Sequence, residues 1–206
     1  MVFTRPAPKD QHPLMFLAEA EGATRLVKLV QGGYGAGVQQ TLAKKGLAPI
    51  LYGSATVEGA PTAYGMEYLT PYRSGTAGWE TLFTFQSYRH AAKHKPKIQE
   101  ELNIILTLME EQSIVHGDLR ANNIMLELEA DGAPVEIHEG RVRLKVVDFD
   151  WAGPADGVRY PLNRNKAIPW PGHSGGPVGA GHDRELVRTW WEAYACPKAS
   201  PMAAKG

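Results

Sequence analysis

Ile114-Val115-His116-Gly117-Asp118-Leu119-Arg120-Ala121-Asn122-Asn123-Ile124-Met125-Leu126 is the stretch on which the reading turns. It follows a long amphipathic pattern and runs into a short apolar segment. Downstream stands Val146-Val147-Asp148-Phe149-Asp150-Trp151. Ile124–Leu126 and Val142–Val147 read as the two strands of a hairpin, separated by an acidic, Gly/Pro-containing insert from Glu127 to Gly140. Such a hairpin brings Asp148 beside Asn123. Their side-chain oxygens are hard ligands of the kind Mg²⁺ takes together with substrate phosphates. Asp118 is then left to accept a hydroxyl proton, and Arg120 is placed to lean on a transferring phosphate.

Working outward, Pro96 to Gln112 reads as the best helix, with Pro96 in the first turn and Ile98, Leu102, Ile105, Leu106 and Met109 in one apolar stripe. Leu14–Ala20, Thr24–Val30, Ile50–Val57 and Thr62–Leu69 read as strands, and Val38–Lys45 as a helix stopped by Gly46. From Gly153 to Gly181 there is no periodicity, and much of the excess of Gly and Pro (22 and 15) collects there. A loop of that length inside a compact unit is usually functional or disordered. A last helix is expected from Asp183 to Tyr194, with Leu186, Val187, Trp190, Trp191 and Tyr194 on one side, and residues 196–206 as a flexible tail.

The chain of 206 residues has a formal net charge of zero, with 22 basic and 22 acidic residues. That balance provides no global field toward nucleic acid or an anionic membrane. No apolar run approaches the length that spans a bilayer, and the amino terminus has no apolar leader core. The single cysteine, Cys196, has no internal partner. One domain in an intracellular, cytoplasmic setting is the expectation.

His116-Gly117-Asp118-Leu119-Arg120, then Asn123, then Asp148-Phe149 resembles the catalytic loop and metal-binding motif of the protein-kinase-like superfamily. With Gly117 after the histidine, the motif is similar to that of aminoglycoside phosphotransferases and choline-kinase-type enzymes. Asp148-Phe149-Asp150-Trp151-Ala152-Gly153 and Arg159-Tyr160-Pro161 most resemble uncharacterised kinase-like proteins of fungi. The resemblance implies an α+β, protein-kinase-like two-lobed fold, with residues 1–70 as a small amino-terminal lobe and 71–195 as the carboxy-terminal lobe. It implies ATP and Mg²⁺ as cofactors, Asp118 as catalytic base with Arg120 and Asn123 beside it, and Asn123, Asp148 and Asp150 as metal ligands. Lys28, with Leu26 on the same strand, is the implied phosphate-holding lysine. Met66-Glu67-Tyr68-Leu69 falls where the hinge meets adenine through its backbone, so Glu67 and Leu69 are implied nucleotide contacts. His116 and Asp183 are implied supports of the catalytic loop.

Departures from the family pattern are equally specific. No glycine-rich loop precedes Lys28, so the amino-terminal lobe reads as truncated, while the run Gly32-Gly33-Tyr34-Gly35-Ala36-Gly37 comes after the lysine strand and reads as a flexible entry to the next helix. No acidic residue lies between Lys28 and Glu58, so the helix glutamate that protein kinases pair with the lysine is missing, and Gln39 and Gln40 occupy its neighbourhood. Asp148 is then the expected partner of Lys28. No Ala-Pro-Glu closes the loop segment and one helix follows it, so the carboxy-terminal lobe reads as shortened. Two functions are therefore carried forward: a phosphotransferase acting on a hydroxyl of a protein or small molecule, and a pseudokinase that binds without turnover.

Three other features carry less. Gly172-His173-Ser174-Gly175-Gly176 has the spacing of a hydrolase nucleophile elbow but is bracketed by prolines rather than by a strand and a helix. His138, between Glu136 and Glu139, reads as an exposed hairpin tip. The basic run Tyr88–Lys95 reads as a solvated helix end or linker.

Overall fold

The computed structural model describes the backbone of residues 2–6 and all of residues 14–195. The expected tail at 196–206 and Cys196 lie outside the described residues. Five antiparallel strands form the first sheet: β1 (Val2–Pro6), β2 (Met15–Ala20), β3 (Ala23–Val30), β4 (Leu51–Ala55) and β5 (Thr62–Glu67), in the order β1-β2-β3-β5-β4. The β2–β3 hairpin closes through Glu21 and Gly22, both in the left-handed region at φ 54 and 75. That backbone matches the twist of the flanking strands. β3 thus lies inside the sheet, with Lys28 opposite Met15 on one side and Tyr64 on the other. Alternation puts Leu26 on the same face as Lys28.

Helix α1 (Ala36–Ala43) packs behind the sheet with Val38, Gln39 and Leu42 buried, and Gly46, at φ 75, ends it as read from the sequence. Leu47 then accepts a hydrogen bond from Val146 N–H at 2.8 Å. This ties the first layer to the second.

The second layer contains β6 (Gly78–Thr81), the short α2 (Leu82–Phe85), the long α3 (Ala91–Glu111), β7 (Ile114–Val115), β8 (Ile124–Leu128), β9 (Leu144–Val146), β10 (Gly153–Pro154) and α4 (His182–Trp191). β6, β8 and β9 pair antiparallel, and β7 pairs with β10. The stripe Ile98, Leu102, Ile105, Leu106 and Met109 is buried against β8 and β9 in the main core. Helix α3 nevertheless starts at Ala91, five residues before the expected Pro96. Ala91 and His94 are buried, with the His94 ring 6.3 Å from that of Phe85, and this burial extends the helix upstream. Pro96 is thus the sixth residue of the helix rather than part of its first turn, and the ladder bond to the Ala92 carbonyl is forfeited there. The basic run is therefore a helical turn with one face in the core rather than a linker.

The segment from Gly153 to Gly181 lacks helix periodicity, as read, yet it is a folded strap. Tyr160 N–H donates to Gly176 at 2.9 Å and Val178 N–H to Val158 at 2.9 Å. Tyr160 and Val178 are buried with Val115 in a small core of their own. Ser174 sits in this strap and accepts from Arg164 Nε at 3.3 Å, with no strand–turn–helix around it. His138 is fully exposed at its turn. Among the described residues no helix is long and apolar enough to cross a membrane.

Candidate active site

Between the sheet and the second layer lies a cavity of about 310 Å³. Met15 of β2 and Leu26 of β3 line it from the sheet, Met125 of β8 from the second layer, and Met66, Glu67, Tyr68 and Leu69 from the end of β5 and the residues after it. Lys28, Asn123 and Asp148 stand together among its lining residues. An apolar slot with polar groups gathered in one place is the usual form of a small-molecule site. The Glu67 carboxylate is engaged elsewhere: it accepts from Lys145 Nζ at 2.6 Å and from Ile50 N–H at 3.0 Å. Its backbone N–H is engaged as well, donating to the Ile50 carbonyl at 2.8 Å.

The catalytic-loop stretch is held from below. Asp183, at the start of α4 and fully buried, accepts from His116 N–H at 2.6 Å and Gly117 N–H at 2.9 Å. Burial pushes its carboxyl up from the ordinary aspartate range, and the His116 and Gly117 amides that donate to it pull part of the way back. The His116 imidazole has its Nδ1 3.2 Å from the Asp118 amide N–H and its Nε2 3.0 Å from the Val147 carbonyl. Both contacts are satisfied by the neutral ring with its proton on Nε2. Phe149 packs edge-on to that ring at 5.2 Å. Gly117 has φ 79, and a Cβ there would lie 3.0 Å from the Trp151 carbonyl, which explains why glycine follows the histidine.

Asp118 emerges from this brace with its carboxylate buried and fully engaged. Arg120 donates to it twice, from Nε and from Nη2 (the latter at 2.8 Å), and Asn123 Nδ2 donates to the same carboxylate at 3.0 Å. The Asn123 amide also donates to the Asp118 carbonyl at 2.9 Å. Val147 N–H donates to the Asn123 carbonyl at 2.9 Å, so the hairpin sets Asn123 beside Asp148. Asp148 has φ 70, a left-handed conformation that costs a non-glycine residue about 1–3 kcal/mol and persists where surrounding structure enforces it.

Lys28 Nζ lies 2.5 Å from Asp148 Oδ1 and 2.6 Å from Asp150 Oδ1. Burial pulls its ammonium pKa down, but the two carboxylates outweigh that and the net shift is upward. Two carboxylate oxygens thus converge on one cationic centre. That convergence, with an amide oxygen donor on the neighbouring Asn123, fits the donor set of a hard divalent cation.

Sequence reading missed three contributors. Tyr34 lines the cavity, its ring 5.6 Å from Lys28 Nζ. Its hydroxyl donates to Gln39 Oε1 at 2.5 Å, and Gln39 in turn donates to the Pro49 carbonyl at 3.0 Å. Gly35, expected in a flexible entry, instead docks: its N–H donates to the Phe149 carbonyl at 2.9 Å, and a Cβ would fall 2.5 Å from Ala152 Cβ. Trp190 donates from its indole N–H to the Leu119 carbonyl at 3.2 Å, reaching the loop beside Asp118. The only advance signals were the aromatic residue embedded in the glycine run and the tryptophan pair.

No protein-family model matches the chain, and no curated protein does. Solved structures do. A kinase of Cydia pomonella granulovirus, PK-1, superposes with a TM-score of 0.59 at 14% identity, over 92% of this chain and 66% of that one. The BubR1 kinase domain superposes with a TM-score of 0.63 at 11% identity, over 93% of this chain and 60% of that one. The chain therefore has the α+β fold of protein kinase domains, and it spans slightly less than two thirds of the length of these two.

Proposed function

We infer that the chain is an ATP- and Mg²⁺-dependent phosphotransferase that moves the γ-phosphoryl group of ATP to a hydroxyl of a small molecule or protein. The observation that carries this reading is the convergence of Asp118, Asn123, Asp148 and Lys28 about the apolar cavity. The base fits between Met15 and Leu26 of the sheet and Met125 of the second layer, against the segment from Glu67 to Leu69. Lys28 exchanges Asp148 and Asp150 for nucleotide phosphate oxygens. Asn123, Asp148 and Asp150 would hold the metal, which would supply charge neutralisation to the nucleotide phosphates. Asp118 takes the acceptor's proton as its oxygen bonds to phosphorus and the bond to the β-phosphate oxygen breaks, releasing ADP. Arg120 leaves Asp118 for the transferring group, since a carboxylate held by a bidentate guanidinium is a poor base.

A second reading rests on that same ion pair. With both Asp118 oxygens occupied, and no glycine in the sequence from Ala7 to Pro13 that joins β1 to β2, a pseudokinase that binds nucleotide without turnover is the alternative. Thermal denaturation with ATP and Mg²⁺, run beside an assay of ADP release, separates the readings. The enzyme reading expects a raised melting temperature and turnover that falls about 10²–10⁴-fold in Asp118→Asn with nucleotide binding kept. Asp148→Ala should lose the metal-dependent part of the stabilisation. Stabilisation without turnover in the parent chain favours the pseudokinase, and no stabilisation at all counts against the enzyme and leaves a pseudokinase that binds protein rather than nucleotide.

A further inference from the structure

We propose that Tyr34, tethered through Gln39, is the positioning residue for Lys28, doing with a neutral ring what a helix carboxylate would do with a charge. The proposal deepens the phosphotransferase reading by assigning the missing partner of the lysine. Three observations support it. The Tyr34 ring centroid is 5.6 Å from Lys28 Nζ, within the ~6 Å over which an aromatic face attracts an ammonium. The ring is itself in close contact with a second one, its centroid 4.3 Å from that of Tyr64 at a tilt of 34°, and Tyr64 stands directly opposite Lys28 in the sheet register. Its hydroxyl donates to the fully buried Gln39 of α1, and Gln39 in turn donates to the Pro49 carbonyl.

The neighbouring residue makes the arrangement permanent. Gly35 carries its N–H onto the Phe149 carbonyl and leaves no room for a Cβ against Ala152, so the start of α1 is seated on the Asp148–Ala152 segment. Tyr34 is therefore set by both layers at once. A neutral partner has a chemical consequence. When phosphates and metal draw Asp148 and Asp150 away, Lys28 stays in place and delivers its full charge to the phosphates. A carboxylate partner would cancel part of it.

The test uses the nucleotide-free chain, so its result is independent of whether ATP binds or turns over. Lysines are pulse-labelled with an acetylating N-hydroxysuccinimide ester across a pH series, and each site is quantified by peptide mass spectrometry. Lys145, held by Glu67 at 2.6 Å and with its own aromatic neighbour in Trp79 at 5.2 Å, is the internal control. Tyr34→Leu, which removes the ring, is expected to raise labelling of Lys28 between about twofold and thirtyfold with Lys145 unchanged. Tyr34→Phe, which keeps the ring and loses the tether, should restore most of the protection. Equal labelling of Lys28 in the parent and Tyr34→Leu overturns the proposal. So does a rise at Lys145 that matches the rise at Lys28, which marks general loosening, or a Phe variant as reactive as the Leu variant.

Discussion

Asp183 performs its task out of contact with any ligand. Its carboxylate holds the His116 and Gly117 amides, and through His116 the orientation of Asp118. Because burial raises its folded pKa, the ionised form is less favoured in the fold than in the unfolded chain, where the ordinary value is 3.8. This group's contribution to stability is therefore largest below that value and declines as pH rises through the raised pKa. Replacing it tests the brace directly. Asp183→Asn keeps the shape but sets an NH₂ group against one of the two amides, stranding a buried donor. Urea unfolding should show a loss of about 1–3 kcal/mol. An unchanged midpoint would mean that the two amides find other acceptors. At this scale the sequence was legible where one motif concentrates the chemistry: His116, Asp118, Asn123 and Asp148 form a spaced set. Gln39 was placed in the neighbourhood of the absent helix acid, but its bond to Tyr34 was not legible, since an aromatic ring among glycines has no spacing signature. Their role exists only once β3, α1 and β5 are packed together.

Among the elements, α1 shows how a short helix can be anchored without an ion pair. Two glycines bracket its start, and the structure separates them. A methyl group on Gly35 would lie 2.5 Å from Ala152 Cβ and 2.7 Å from the Ala152 carbonyl, whereas one on Gly37 meets nothing within 4 Å. Gly35→Ala should therefore cost about 1–3 kcal/mol, by overpacking against a backbone that cannot retreat. Gly37→Ala should instead stabilise by roughly 0.4–1 kcal/mol, through lower entropy of the unfolded chain. Thermal melts of the two variants should shift in opposite directions, and shifts of the same sign would mean that α1 is not seated as described. From sequence both glycines looked alike, because close approach between segments more than a hundred residues apart leaves no local mark. Helix α3 is the contrasting case. Its stripe from Ile98 to Met109 was readable from periodicity alone, while its true start at Ala91 was set by burial of Ala91 and His94 against the core.

At the level of the whole molecule, α3 is the beam on which the second layer is assembled. Two ion pairs brace it: Glu101, fully buried, takes two bonds from Arg141 at 2.8 and 2.7 Å, and Glu110 takes two from Arg184 of α4 at 2.7 and 2.8 Å. The hydrogen bond from Arg184 holds Glu110 below its ordinary value of 4.5. A lowered folded pKa gives stability that is present above the unfolded value and lost as pH falls through the folded one. Acid unfolding of Glu110→Gln should therefore lose part of the parent's decline below about pH 4.5; superimposable acid limbs would show that the pair is thermodynamically silent, as many exposed pairs are. The two-layer plan was legible because strand runs come first and the long helix follows. The strand at Val2–Pro6 and the small core of the strap were not. The first is defined by pairing with β2, and the second joins Val115 to Tyr160 and Val178 across the chain. Trp190 follows from the same logic of distant attachment. Its indole N–H is fastened to the Leu119 carbonyl, one residue from Asp118, and that bond couples the ring's electronic environment to the loop's position. The protein thus contains a native fluorophore fastened to the loop that carries Asp118, so the difference in emission between the parent and Trp190→Phe would report rearrangement of that loop in real time without any attached dye.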